Sequence, residues 1–163
     1  MVINTISLTP NDAIDSLASE IVTQSRPPPE DVSIAVKTFQ EALQIEREKL
    51  GQNHPKILHT LHHLAIALRD NGYLEMSLEY FKEELNLLRE KDGDNRMEMA
   101  CVLTNIGKIH NQLGETHRAI ESLKNSLMIY QFIGLPENHP RLAMTLRILK
   151  RLSKKLDVKN PAT

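Results

Sequence analysis

Apolar residues recur three and four positions apart along most of this chain, as in Leu61, Leu64 and Leu68 or Leu142, Leu146 and Leu149. That spacing gathers them on one face of a helix, where side chains return roughly every 3.6 residues. Helix breakers interrupt the pattern at regular intervals. The stretches between them predict helices over 11–25, 31–49, 56–70, 74–90, 96–112, 115–132 and 139–156. Pro55 and Pro140 suit a first helical turn, where the missing N–H would have had no partner. Thr9-Pro10-Asn11-Asp12 and Asn95-Arg96-Met97-Glu98 have the spacing of capping boxes, with an acid three residues after the cap. Asn71-Gly72 and Leu113-Gly114 predict tight turns in which glycine adopts a positive φ. Pro27-Pro28-Pro29 predicts a short extended connector.

The pattern repeats at a step of 42 residues. Leu61-His62-His63-Leu64-Ala65 falls on Leu103-Thr104-Asn105-Ile106-Gly107, Gly72 on Gly114 and Ser77 on Ala119. Phe81, Leu85 and Leu87 fall on Leu123, Leu127 and Ile129. One step back, Ala35, Phe39, Leu43 and Ile45 match the second half of the unit. One step forward, with a single inserted residue, His54-Pro55 returns as His139-Pro140. Such a repeat of helix pairs predicts an all-α fold, a right-handed superhelix of tandem antiparallel helix pairs with about seven helices. The expected organisation is an N-terminal tail over 1–10, a repeat domain over 11–156 and a C-terminal tail over 157–163. Small residues at equivalent places, Ala65 with Gly107 and Ala35 with Ser77 and Ala119, mark close helix crossings. They leave room for Phe39, Phe81 and Leu123, and a leucine at 119 would overpack the crossing by about 1–3 kcal/mol.

The unit resembles a tetratricopeptide repeat, in the 42-residue variety of the kinesin light chain family. Leu61, Leu64, Ala65, Gly72 and Tyr73 match the first half of the family pattern, and Asn105 matches its first-helix asparagine. Ala42-Leu43-Gln44-Ile45 and Leu50-Gly51-Gln52-Asn53-His54-Pro55 match the second half. The likeness covers about residues 31–156. Leu68 and His110 stand where the family favours tyrosine, Glu84 and Ser126 replace an alanine, and Arg96-Met97 lacks the His-Pro. The resemblance implies a non-catalytic module that binds peptide segments in a concave groove, acidic ones in kinesin light chains.

Counting round from the leucine stripe, the groove is expected to take His62, His63, Ile66, Arg69 and Asp70 from one helix. The next first helix supplies Thr104, Asn105, Lys108, Asn111 and Gln112, and the last supplies Arg147, Arg151, Lys154 and Lys155. Amides can fix the register of a peptide backbone, and arginines can grip carboxylates with paired donors. Charge supports an acidic ligand. The chain of 163 residues has a net charge of -1, but residues 101–163 hold 10 basic against 4 acidic groups. The basic stretch 147–159 makes nucleic acid a rival partner, disfavoured because no aromatic side chains are interleaved for base stacking.

Other chemistries are excluded by what the sequence lacks. A single cysteine, Cys101, forbids an internal disulfide and reads as a small buried or half-buried hydrophobe. His59, His62 and His63 share a helix face, yet no acid orients them before Asp70, so neither metal nor cofactor is expected. Glu83-Glu84 reads as a solvated pair. No apolar run approaches the roughly 20 residues of a membrane span, and no signal pattern opens the chain, so a cytoplasmic, non-enzymatic protein is expected. An alternative is an assembly subunit that uses the open edge of its last helix, with Ile148 and Met144 exposed there for a second copy.

Overall fold

The computed structural model describes residues 33–91 and 93–159, with side chains to 156, all within one compact unit, Ser33–Thr163. Six helices follow one another among the described residues: α1 (Ile34–Leu50), α2 (Pro55–Asp70), α3 (Leu74–Glu90), α4 (Arg96–Gln112), α5 (Thr116–Phe132) and α6 (Pro140–Lys159). Each lies within a few residues of its expected position. The helix over 11–25, the Thr9 capping box and the Pro27-Pro28-Pro29 connector fall outside the described residues. Among the described helices none is long and apolar enough to cross a membrane.

Local chemistry sets the ends. His54 and His139 cap α2 and α6, each accepting with Nδ1 from the backbone N–H two residues on, at 3.3 Å. The following proline starts the helix, so His-Pro works as a cap and first-turn pair. Gly72, Gly114 and Gly134 all have φ between 72° and 84°. In each case the residue after glycine donates to the carbonyl five residues back, as Tyr73 does to Leu68 at 2.9 Å. The capping box expected at Asn95 does not form. Its side chain is buried and donates backward to the Leu88 and Lys91 carbonyls at the end of α3, while Asp94 accepts from the Arg96 N–H.

α2 with α3, and α4 with α5, are the two complete hairpins, and their buried faces form a row of adjoining apolar clusters. Ala65, Phe81, Leu85, Leu88, Val102, Ile106 and Ile109 knit α2, α3 and α4 together. Ala119, Leu123 and Leu152 do the same for α5 and α6, with Ile148 and Leu149 packed against them. Successive first helices touch through Arg69 to Asn105 and Thr104 to Thr145, while successive second helices touch through the Arg47–Glu83 ion pair. The first helices α2, α4 and α6 therefore form one layer, and α1, α3 and α5 the other.

The small residues sit where the crossings are tightest. Ser77 donates to the Ala65 carbonyl at 2.6 Å, and Ala65, Ser77 and Ala119 are fully buried, whereas Ala35 is exposed. A Cβ on Gly107 would stand 2.8 Å from Leu123 Cγ and 3.2 Å from the Ala119 carbonyl. Gly107→Ala gains about 1 kcal/mol of helix propensity. Overpacking against a buried leucine and a backbone carbonyl outweighs it at about 1–3 kcal/mol. The urea midpoint of this variant should fall; a rise would show that the α4–α5 crossing is looser than these distances require.

Candidate functional site

The first-helix layer brings Arg69 of α2 against Asn105 and Lys108 of α4. Arg69 Nη1 donates to Asn105 Oδ1 at 3.0 Å, while its Nε and Nη2 hold the exposed Asp70 carboxylate at 3.0 and 2.9 Å. Lys108 is half-buried and makes no hydrogen bond or ion pair among the described residues. Burial, and then the nearby Arg69 charge, lower its ammonium pKa, with Cys101 and Asp70 opposing. A cation short of compensation on a partly dry wall gains when a carboxylate arrives. Asn111 and Gln112 lie on the next turn of α4, half-buried and exposed respectively, and Arg151, Lys154 and Lys155 are exposed on α6.

Two of the expected groove residues face elsewhere. His62 turns to α3, where its Nδ1 lies 3.0 and 3.1 Å from the two carboxylate oxygens of Glu84. Thr104 stands one repeat further on and is buried, 2.7 Å from Ser126 Oγ and 3.2 Å from Thr145 Oγ1. Both positions point at the second helix of their own hairpin, because Glu84 and Ser126 are themselves one repeat apart. Arg147 occupies the same register on α6, where it is exposed. Ile66 is half-buried against the α2–α3–α4 core and offers the wall little surface. His63 stacks on Phe39 with ring centres 5.8 Å apart.

Glu84 is not the solvated residue its sequence context suggests: it is 5% exposed. Burial raises its pKa, and the His62 hydrogen bond partly offsets that. The 42-residue step carries the missing signal, since it pairs Glu84 with Ser126 on the inward face of the second helix. Cys101, one turn before Asn105, does more than fill space as a small hydrophobe. Its half-buried thiol accepts from Arg141 Nη1 at 2.6 Å and lies 3.4 Å from the Tyr130 hydroxyl. Burial and the adjacent thiol push the Tyr130 phenol up to about 12, so it stays protonated at neutral pH. Ile148 packs against the core rather than standing free, and Met144 is 37% exposed.

The three histidine rings cluster about His63, 4.3 Å from His59 and 5.9 Å from His62 between centroids, but their nitrogens do not point to one centre. His59 and His63 approach with Nε2 atoms 3.1 Å apart, while His62 is committed to Glu84. Among the described residues no group of three or more His, Cys, Asp or Glu side chains is arranged to hold a metal ion. Burial and the neighbouring His59 and His62 lower the His63 pKa below 6.5. Folded His63 then binds a proton less readily than unfolded His63. Its stabilising contribution is present above 6.5 and is lost as pH falls through the lowered folded value. Urea midpoints measured from about pH 7.5 to about pH 5.5 should decline, and His63→Gln should flatten that decline. An unchanged slope in the variant would remove His63 as the cause.

Comparison with known proteins agrees with this geometry. Residues 60–131 match the family profile of the tetratricopeptide repeat. No curated protein matches the sequence. Among solved structures, the chain is similar to the nearly identical TPR-like repeats of kinesin light chain type from Podosopora anserina. The identity is 18% over 86% of this chain, with a TM-score of 0.66. A single-substitution variant of those repeats gives 19% identity, the same coverage and the same TM-score. BtubC (BKLC) from P. vanneervenii is 23% identical over 73% of this chain, with a TM-score of 0.65. The chain spans 65% of the length of the Podosopora repeats and 47% of BtubC. At these identities the likeness establishes the fold. Residues 60–131 are therefore tetratricopeptide repeats, set in a right-handed superhelical array with the fold of kinesin light chain-like repeat proteins.

Proposed function

We propose that this protein is a non-catalytic, cytoplasmic scaffold whose first-helix wall binds an extended acidic peptide segment of a partner protein. The observation that carries the reading is the half-buried Lys108, without a hydrogen-bond or ion-pair partner among the described residues, beside Arg69 and next to the Asn105 amide that Arg69 orients. A carboxylate of the ligand meets Lys108, and the amides of Asn105 and Asn111 engage its backbone. His63 and Gln112 flank that centre, and Arg151 and Lys154 extend the cationic character along α6. His62 and Thr104 have no part in it, because they face the second helix of their own hairpins, and Arg147 shares their register. Binding is reversible and modest, because the flanking cations are exposed and screened by salt.

An arrayed library of short peptides graded in Asp and Glu content tests the reading. Signal should rise with acidic content and fall about tenfold for Lys108→Ala, equivalent to roughly 1.4 kcal/mol. Asn105→Ala should weaken all acidic peptides alike. Selection of neutral or basic peptides, or an unaltered profile for Lys108→Ala, would refute it.

A further inference from the structure

We infer that the open face of α6 docks an acidic amphipathic helix of a partner protein, a second surface independent of the Lys108 wall. The repeat register defines that face. On α4, Thr104 and Gly107 meet α5 through Ser126 and Leu123, and on α2, His62 and Ala65 meet α3 through Glu84 and Ser77. The same two positions on α6 hold Arg147 and Lys150, both exposed. Leu146, equivalent to the wholly buried Leu61, is 40% exposed beside them. This is the surface that a second helix covers in both complete hairpins.

Residue type decides what covers it here. A small residue at the crossing lets the second helix of each hairpin come close, and Lys150 forbids that approach. The covering helix must stand further off and present carboxylates to Lys150 and Arg147. The molecule already uses such a pairing at the equivalent place, where Glu84 meets His62 across α2 and α3. Side chains from Pro140 to Leu156 include no acid at all, so two copies of this face repel one another. Ala143 and Leu146 supply the apolar strip against which a helix settles. The occupant is thus a helix with an apolar ridge flanked by Glu or Asp.

The test uses a probe designed from the repeat itself. A stapled helical peptide with the α3 sequence, Leu74–Glu90, keeps Glu84 to face Arg147 and carries Ser77→Glu to face Lys150. Fluorescence anisotropy should show it binding the full chain, more tightly at low salt. Arg147→Glu with Lys150→Glu should weaken binding about tenfold or more, and a probe with lysines at both positions should restore it. The milder Arg147→Gln with Lys150→Gln serves if the charge reversal lowers the urea midpoint. Equal binding by parent and variant would overturn the inference. So would an equal loss in Lys108→Ala, which would put the probe on the peptide wall. A dimer of the parent, seen by sedimentation and abolished by the double variant, would give the face to a second copy instead.

Discussion

His62→Thr alone should destabilise the protein by about 3 kcal/mol, and adding Glu84→Ser should recover more than half of that loss. The single change leaves a carboxyl group that is 5% exposed without its hydrogen-bond partner. Its pKa is already raised by burial, so loss of the histidine drives it towards the protonated form rather than leaving a bare charge. The double change installs the solution the next hairpin uses, where Thr104 and Ser126 lie 2.7 Å apart and Ser126 donates to the Ala100 carbonyl at 2.7 Å. By the same register the introduced serine hydroxyl would reach the Leu58 carbonyl. The remaining deficit is the volume lost from two larger side chains. A double-mutant cycle from urea midpoints reads the coupling. Additive losses in the double variant would mean that the two residues do not form a unit.

Phe81→Ala should have the largest effect of all, about 3–5 kcal/mol. Phe81 is wholly buried and belongs to the cluster that holds α2, α3 and α4 together, with the His62 ring edge-on at 5.7 Å. Loss on that scale is a large share of the roughly 5–15 kcal/mol that stabilises an ordinary domain. In a linear array stability is a sum of neighbouring interfaces, so damage at one junction uncouples the two sides. The α5–α6 contacts through Leu123 and Leu152 do not involve Phe81. Hydrogen exchange of the variant should therefore show α2 and α3 losing protection first, with α5 retaining it. Simultaneous loss across all six helices would contradict the modular packing.

Helix positions were legible because glycine, proline and the leucine spacing act locally. The 42-residue step pairs the helices without reference to any long-range contact. Facing was less legible. Counting round a helix finds which residues share a stripe, but not which neighbouring helix covers that stripe. His62, Thr104 and Arg147 lie in one register, and that register points to the second helix of the hairpin. In α2 and α4 it is covered by the second helix, and on α6, among the described residues, Arg147 and Lys150 are exposed there. Asn95 had the composition of a cap, yet the end of α3 lay near enough to claim its amide. The Arg69–Asn105 contact joins residues 36 apart and depends on how successive hairpins tilt, which no local pattern records.

The peptide wall is the central claim, and side-chain NMR during titration with the strongest acidic peptide of the array tests it most directly. Shifts should concentrate at Asn105, Lys108, Asn111 and Gln112, with Arg69 moving as its amide partner is engaged. Shifts confined to the outer helices, around Met128 and Phe132 on α5, with Lys108 unmoved, would contradict it.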